Sequence, residues 1–450
     1  MTKDAAGGRV VSPEFYFKPG VTWSGISSSK PSMRQINNSI FGSGGKGLFT
    51  DGEDYFYLGY LNSKIALYCL ELLSPTLNYE AGHIGSLPIT YSSIAKNQAA
   101  INIPQLVDLS KADWNSYETS WDFTSLPLLQ TNYTQATMQS TYKTLRSHWL
   151  TMTQKMQQLE EENNRIFIEA YGLEAELTPE VPLKEITLTC NPYYRYNGKK
   201  SDAELEKLLL ADTMKEYISY AVGCMFGRYS LKKEGLILAN QGDTLQEYLT
   251  QVSDPKFMPD EDNVIPILDD NWFVDDIVDR FYAFLRVTFG MDHFNENLQF
   301  IEDAIGKSVR NYFVSDFFTD HVKRYKKRPI YWMFSSPKGS FNVLIYMHRY
   351  NEGAVSTILN KYLREFQNKL KAHEIQLQEL SESSTARQGD KTKALKEIQK
   401  VRRTLDEILQ WERNVIYPLA TQRIAIDLDD GVKVNYAKFA GAVKKIAGLN

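Results

Sequence analysis

The stretch MQSTYKTLRSHWLTMTQKMQQLEEENNRI, residues 138–166, carries the clearest periodicity in the chain. Its apolar residues recur at alternating intervals of four and three positions, the heptad pattern of a helix with one buried stripe. We call this set the spacer stripe, and it comprises Met138, Tyr142, Leu145, Trp149, Met152, Met156 and Leu159, followed by Asn163 and Ile166. The pattern predicts a helix of about 28 residues that leaves a first domain and packs one face against another helix.

A second heptad pattern lies near the C-terminus. Apolar residues follow heptad intervals from Leu359 to Leu380 and again from Ala394 to Val415, and the polar segment SESSTARQGD separates the two runs. Two heptad segments joined by a short polar connection predict an antiparallel helical hairpin.

Upstream of the spacer stripe, residues 9–135 alternate short apolar runs with clusters of Gly, Pro, Ser and Asn. This pattern is typical of short strands and turns, and it includes one helix from about Tyr55 to about Leu73. We therefore predict an α+β fold. Its predicted parts are a mixed α/β domain in 1–135, a spacer helix in 136–170, a mixed α/β domain in 171–350, the helical hairpin in 351–420 and a C-terminal tail in 421–450.

The composition limits the classes of function. The 450 residues suffice for two to four domains at roughly 100–200 residues each. The chain has 51 Lys and Arg against 55 Asp and Glu, so any contact with DNA must come from a local basic face. Its three cysteines are too widely spaced to suggest a disulfide or a zinc site. Because no long apolar run or signal-peptide core is present, we expect a cytoplasmic protein without a membrane partner.

Two short motifs invite a catalytic interpretation. GSGGKG at 42–47 fits the GxGxxG pattern, but a turn follows it instead of a helix, so we predict a flexible hairpin or DNA-contact loop. NPYY at 191–194 resembles the NPPY signature of adenine amino-methyltransferases, but Tyr193 replaces the second proline and no methyl-donor loop precedes it. We predict a turn before a helix there. We predict no catalytic residue and no metal site in this chain, because DLDDG at 427–431 lacks the spacing of a calcium loop.

Charge is unevenly distributed in the second half. Residues 254–279 carry nine Asp or Glu against one Lys, whereas 307–328 carry seven Lys or Arg against two Asp. These segments could face each other or different partners. Within HVKRYKKRPIYW, residues 321–332, a basic stripe comprises Lys323, Arg324, Lys326, Lys327 and Arg328. Cations interleaved with aromatic residues are typical of phosphate binding, and they are also typical of a solvated helix end before a proline.

The segment GYLNSKIALYCLELLSPTLNYEAGHIGSLPI, residues 59–89, resembles the end of the target recognition domain of large adenine-specific DNA methyltransferases and of restriction-system specificity subunits. FYFKPGVTWSGISSSKPSMR, residues 15–34, resembles the first strands of that domain. ISYAVGCMFGRYSL, KKRPIYWMFSSPKGSFNVLIYMHRY and IDLDDGVKVNYAKF are similar to the C-terminal half of the PglX methyltransferases of BREX phage-defence systems.

The resemblance implies that the chain is the DNA-recognition portion of an N6-adenine-specific methyltransferase. The catalytic domain, and with it S-adenosylmethionine, is expected outside this chain, which would itself hold no cofactor and be inactive alone. The implied partners are double-stranded DNA, the methyltransferase catalytic domain and other BREX proteins. The alternative is an interaction scaffold that binds other defence proteins through an exposed heptad stripe, with only minor DNA contact.

Base-edge contacts would come from polar loops and phosphate contacts from the basic stripe. In the first domain, the DNA-binding candidates are Lys18, Ser27, Ser28, Ser29, Lys30, Arg34, Lys46 and Lys64. In the second half, the candidates are the five residues of the basic stripe.

Overall fold

A computed structural model describes residues 12–449 apart from Ser29, Ser43 and Asn197. The described chain forms two compact units. Unit 1 comprises the residues up to Trp114 together with Arg146–Leu205, and unit 2 comprises Asn115–Leu145 together with the residues from Glu206 onward. Helices predominate, and each unit contains a small antiparallel sheet, so the predicted α+β class is confirmed.

The sheet of unit 1 has the order β2-β1-β3, with β1 at Gly20–Ser24, β2 at Arg34–Ile36 and β3 at Gly45–Leu48. Val21 and Trp23 point into the core, as alternation along a half-buried strand requires. Four helices follow, which are α1 (Asp54–Asn62), α2 (Lys64–Leu73), α3 (Ala81–Gly85) and α4 (Ser93–Trp114). The core of unit 1 lies between this sheet and helices α1, α2 and α4.

The helix predicted from about Tyr55 to Leu73 is interrupted at Ser63. Ser63 has extended backbone angles, and its hydroxyl caps α2 by accepting the N–H of Ala66. The same hydroxyl donates to the carbonyl of Tyr60 at 2.6 Å, which satisfies the end of α1. A serine that caps one helix while closing another therefore turns the chain between two apolar segments.

The spacer helix α5 runs from Met138 to Tyr171 and contributes residues to both units. All residues of the spacer stripe are buried, as predicted. Within unit 1, Phe167 packs against Phe56 and Tyr60 of α1. Within unit 2, the ring of Tyr142 lies 6.4 Å from that of Phe300. The short helix α6 (Pro192–Arg195) follows in unit 1.

The sheet of unit 2 has the order β4-β6-β5, with β4 at Ile265–Pro266, β5 at Tyr331–Ser335 and β6 at Asn342–Tyr346. Its strands β5 and β6 are almost completely buried. The helices before β5 are α7 (Asp202–Met225), α8 (Leu245–Gln251), α9 (Ile277–Phe289), α10 (Phe294–Ile305), α11 (Val309–Tyr312) and α12 (Phe318–Arg324), with a π-helical turn at Phe313–Phe317.

The predicted helical hairpin is confirmed. It is formed by α14 (Arg364–Glu382) and α15 (Gln388–Trp411). The other helices after β6 are α13 (Ala354–Thr357), α16 (Tyr417–Gln422) and α17 (Val432–Ala437), and π-helical turns lie at Ile358–Leu363 and Glu412–Ile416. The heptad residues from Leu359 to Leu370 are buried, whereas Leu380 near the hairpin tip is 42% exposed. No helix in the described part of the chain has both the length and the apolar character needed to cross a membrane.

The acidic segment 254–279 is paired with cations of unit 2. Asp276 is fully buried, caps α9 and accepts two hydrogen bonds from Arg310 at 3.1 and 3.2 Å. Asp262 pairs with Lys361 at 2.5 Å, and Asp269 pairs with Lys400 at 3.1 Å. The acidic segment therefore joins α9 and α11 to the hairpin. Of these three cations, Arg310 belongs to the basic segment 307–328, whereas Lys361 and Lys400 do not.

Because the heptad residues are buried, a charged side chain introduced among them should strongly destabilise the protein. We expect Trp149→Asp and Leu370→Asp each to lower the free energy of unfolding by ~3 kcal/mol or more, since each forces a carboxylate into an apolar seam. Chemical denaturation provides the measurement. The matched controls are Leu150→Asp and Ile375→Asp, which lie on the same helices at sites 43% and 57% exposed. Equal decreases in stability at buried and exposed sites would contradict the prediction.

Candidate nucleic-acid interface

The two segments that carry the resemblance in unit 1 pair with each other. The indole Nε1 of Trp23 donates to the carbonyl of Tyr79 at 2.8 Å, and the N–H of Tyr79 donates to the carbonyl of Gly25 at 2.8 Å. Ile26 and Asn78 form an antiparallel bridge. The sequence NYE, residues 78–80, therefore pairs through its backbone with the segment that directly follows β1.

The serine loop, residues 25–33, is held at its other end by Asn62. The N–H of Met33 donates to Oδ1 of Asn62 at 2.9 Å, while Nδ2 of Asn62 donates to the carbonyls of Met33 and Leu58 at 3.1 and 3.0 Å. Asn62 is a positioning residue that the sequence analysis missed. No sequence signal marked it, because the pattern predicted a continuous helix through position 62. At the end of α1, its amide bonds a neighbouring backbone through both its donor and its acceptor.

Between these anchors the serine loop presents polar side chains to solvent. Ser28 and Lys30 are exposed, Ser27 is half-buried and Ser29 lies outside the described residues. Lys30 pairs with Glu185 at 3.1 Å. Both side chains of this pair are largely exposed, so it contributes only ~0–1 kcal/mol and can yield to another anion.

Arg34 follows the loop as the first residue of β2. It lies opposite Thr22, on the sheet face that does not carry the buried side chains of β1. Arg34 is exposed and makes no ion pair within the described part of the chain. Its guanidinium is therefore available to a ligand.

The segment 42–47 is a hairpin arm that leads into β3, and it does not open a helix directly. The N–H of Gly25 donates to the carbonyl of Gly44 at 3.0 Å, so this arm lies beside the start of the serine loop. A Cβ at Gly47 would lie 2.7 Å from the ring of Phe49, which explains the glycine there. Lys46 is half-buried and pairs with Glu80 at 2.7 Å. Ser43 lies outside the described residues.

Lys18 and Lys64, the two other lysines of unit 1 predicted to bind DNA, differ in whether their ammonium groups are accessible to a ligand. Lys18 is exposed, and its Nζ lies 5.3 Å from the centre of the Phe15 ring. Lys64 instead donates from Nζ to the carbonyl of Glu180 at 2.7 Å, and its N–H donates to Asn164. Lys64 therefore joins α2 to another segment of unit 1.

The basic stripe lies in unit 2, and its members divide into two groups. Arg324 points inward and pairs with Glu118 at 2.8 Å. Burial disfavours its charge, but the carboxylate of Glu118 outweighs this effect, so the pKa of Arg324 is raised. Lys323, Lys326, Lys327 and Arg328 are exposed and make no ion pair within the described residues.

The turn after α12 presents three of these cations in succession. Lys326 and Lys327 have φ angles of 50° and 62°, a left-handed conformation that is costly for residues other than glycine. The N–H of Lys327 donates to the carbonyl of Val322 at 2.8 Å. Nε2 of His321 accepts the N–H groups of Ile330 and Tyr331 at 3.2 and 3.1 Å. The turn is therefore fixed by a backbone hydrogen bond on one side and by the imidazole of His321 on the other.

The NPYY motif forms a turn. Asn191 is fully buried, its Oδ1 accepts the N–H of Tyr193, and its Nδ2 donates to the carbonyls of Leu183 and Ile186. Its amide is thus committed to capping α6. Within the described residues, no cluster of three or more His, Cys, Asp or Glu side chains could hold a metal ion.

Comparison with known proteins supplies relatives along almost the whole chain. The chain is 33% identical over 456 residues to the adenine-specific methyltransferase BrxX of Escherichia coli O9:H4 (strain HS), covering 97% of this chain and 37% of that protein. It is 36% identical over 462 residues to the adenine-specific methyltransferase PglX of Lacticaseibacillus casei (strain Zhang), covering 97% of this chain and 35% of that protein. No protein-family model matches.

The resemblance to PglX methyltransferases is therefore confirmed for a part of those proteins. The chain spans little more than a third of the length of the curated relatives that it matches.

The role of Asn62 as an anchor can be tested directly. We expect Asn62→Ala to speed hydrogen exchange at the Met33 amide about tenfold, because that amide loses its acceptor, while the free energy of unfolding falls by only ~1 kcal/mol. Hydrogen exchange with mass spectrometry provides the measurement. Asn37→Ala, at a nearby exposed asparagine, is the control. Unchanged exchange at Met33 would show that other contacts hold the loop.

Proposed function

We propose that this chain recognises the DNA sequence on behalf of an adenine-specific methyltransferase whose catalytic domain lies elsewhere. The observation that carries the proposal is the serine loop, which is anchored at both ends by residues of the resembling segments and exposes polar side chains between them. Readout of bases requires side chains that are accessible and also held in place.

Unit 1 would supply sequence selection. Arg34 has the forked donors that pair with the major-groove edge of guanine. Ser28 can donate to or accept from a base edge, and Ile26, which is 71% exposed, offers an apolar contact for a thymine methyl group. Lys30 and Lys46 would exchange their surface ion pairs for phosphates.

Unit 2 would supply affinity independent of sequence. One helix end and turn present four cations that make no ion pair with any residue that the structure describes, although the whole chain is acidic, and these are Lys323, Lys326, Lys327 and Arg328. Such groups release counterions when they meet phosphates. Arg324, which is paired with Glu118, would support this turn from within.

The scaffold alternative depends on an exposed heptad stripe. The spacer stripe is buried from Met138 to Ile166, and the hairpin stripe is buried from Leu359 to Leu370, so an exposed heptad surface is confined to the hairpin tip near Leu380. This burial favours DNA recognition over the scaffold.

The two proposed sets of DNA-binding residues predict different responses to salt. A phosphate-binding variant combines Lys323→Gln and Arg328→Gln with Lys326→Asn and Lys327→Asn, because asparagine tolerates the left-handed conformation. We expect it to weaken binding to all sequences alike and to flatten the salt slope by about 0.9 for each phosphate that is no longer neutralised. Fluorescence anisotropy on duplexes at several salt concentrations gives both quantities.

A loop variant with Ser28→Ala, Lys30→Ala and Arg34→Ala should instead reduce the preference for a cognate duplex over a scrambled one, by ~1–3 kcal/mol for each base edge that is no longer read. The charge-matched control neutralises four exposed cations of the hairpin, Lys371, Lys393, Lys396 and Arg403. The hairpin control should bind like wild type. If the phosphate-binding variant and the loop variant also bind like wild type at every salt concentration, the proposal fails for these residues.

The methyl donor provides a third test. We expect calorimetry to show no saturable binding of S-adenosylmethionine to this chain, since GSGGKG at 42–47 leads into β3 and does not open a helix as a methyl-donor loop would, while the amide of Asn191 caps α6. Asn191→Ala should lower stability and leave the donor titration unchanged. Micromolar binding that Asn191→Ala abolishes would restore the interpretation of NPYY as a catalytic motif.

A further inference from the structure

A group of buried polar side chains adjoins the turn that carries Lys326 and Lys327. The imidazole of His321 contacts the rings of Tyr325 and Tyr331, with centroid distances of 4.8 and 4.7 Å. His321 is 1% exposed and Tyr331 is fully buried. All three residues belong to unit 2.

Each of these side chains has a polar atom without a partner. Because Nε2 of His321 accepts two backbone N–H groups, the neutral ring carries its proton on Nδ1. This Nδ1 is buried and has no hydrogen-bond partner among the described residues, and the same is true of the hydroxyls of Tyr325 and Tyr331. Burial lowers the pKa of His321 and raises the pKa of both tyrosines, so near neutral pH all three groups are uncharged donors.

A buried positive charge lies in the same region. Arg228 donates from Nε to the hydroxyl of Tyr229 at 3.1 Å and from a terminal nitrogen to the hydroxyl of Tyr346 at 3.0 Å. Its charge also interacts with Tyr325 and Tyr331. The carboxylate of Glu118 acts on the same two tyrosines, but it is already paired with Arg324 at 2.8 Å. Burial raises the pKa of Tyr229 and Tyr346, so these phenols are neutral. Within the described residues, the hydrogen bonds of Arg228 therefore go to neutral groups and not to a carboxylate.

The segment around Arg228 is shaped around these hydroxyls. A Cβ at Gly223 would lie 3.3 Å from Oη of Tyr331 and 2.4 Å from the ring of Tyr229. Any larger residue at position 223 would therefore displace Tyr229 and crowd the hydroxyl of Tyr331. The segment VGCMFGRY, residues 222–229, thus supplies the guanidinium and also the glycine that lets the two tyrosines pack beside α7.

We propose that this group is a binding site for a small inorganic anion, held by Nδ1–H of His321 and the hydroxyls of Tyr325 and Tyr331, with its charge balanced by Arg228. The adjacent guanidinium opposes a cation at this site. A water molecule could accept from Nδ1–H of His321 and donate to the tyrosine oxygens, but it would leave the charge of Arg228 uncompensated. An anion accepts from every direction and also compensates the buried charge.

The site would connect three elements of unit 2, because His321 lies on α12, Tyr325 in the turn and Tyr331 on β5. The inference does not depend on the proposed DNA recognition, since it concerns the interior of unit 2 and its test uses no DNA.

Thermal unfolding of the full chain in different anions tests the proposal. Sodium chloride, sulfate or phosphate is titrated against sodium gluconate at constant ionic strength. We expect at least one anion to raise the melting temperature of the wild type saturably, by about 2 °C or more. The three salts distinguish a halide from an oxyanion. Tyr325→Phe combined with Tyr331→Phe should remove the saturable component and leave the general salt effect.

The matched control is Tyr217→Phe, which removes a buried hydroxyl of the same unit that bonds Thr288 at 2.7 Å. It should lower stability and retain the saturable response. The proposal is overturned if no anion gives a saturable response in the wild type, or if the double variant responds as the wild type does. It is also overturned if the double variant is the more stable protein in every salt.

A second measurement needs no variant. Crystals of the wild type soaked in bromide and, separately, in selenate should show an anomalous peak within hydrogen-bond distance of Nδ1 of His321. Density for water alone at that position, without an anomalous peak in either soak, would also overturn the proposal.

Discussion

The contact of α5 with α1 and α2 through two adjacent asparagines is the constraint on which unit 1 depends. Asn163 donates to the carbonyl of Gly59 at 2.9 Å, and Oδ1 of Asn164 accepts the N–H of Lys64 at 2.9 Å. A Cβ at Gly59 would lie 2.9 Å from Oδ1 of Asn163, so the close approach requires glycine. An apolar heptad contact alone tolerates sliding, whereas a buried polar residue in a heptad position fixes the register. The asparagines therefore determine where the α1–α2 junction, and with it Asn62, is placed along α5.

This placement explains which parts of the fold could be predicted from the sequence. The spacer stripe and the hairpin were predictable because burial along a helix leaves a repeating signal in the sequence. The interruption at Ser63 was not, because apolar residues continue on both sides and only the capping geometry separates the helices. Asn163 was visible as a polar residue in a heptad position, but its partner Gly59 lies far away in the sequence.

The candidate interface shows the same limit. Charge and polarity identified the serine loop and the basic stripe as segments, yet they could not distinguish Arg324 from its neighbours. Arg324 lies on the inner side of α12 and meets Glu118, a residue more than 200 positions away, whereas Lys323 and Arg328 point to solvent. A count of cations in a run therefore overstates the charge available to a partner. The availability of each cation is decided by long-range contacts that no local pattern contains.

The remaining cations differ in what a phosphate would have to displace. Lys30 and Lys46 already have carboxylate partners, and a phosphate must replace Glu185 or Glu80 before it can bind. Lys326 and Lys327 have no such competitor, and their left-handed backbone keeps them at the tip of a fixed turn. Because exposed ion pairs contribute little, Glu185 and Glu80 compete only weakly with a phosphate. Each lysine nevertheless leaves its carboxylate only for a ligand whose shape places an anion within its reach. Unpaired cations on a rigid turn suit general attraction, and paired cations beside an anchored loop suit discrimination. The two proposed roles, general attraction and sequence discrimination, therefore depend more on whether each cation has a carboxylate partner than on the number of cations.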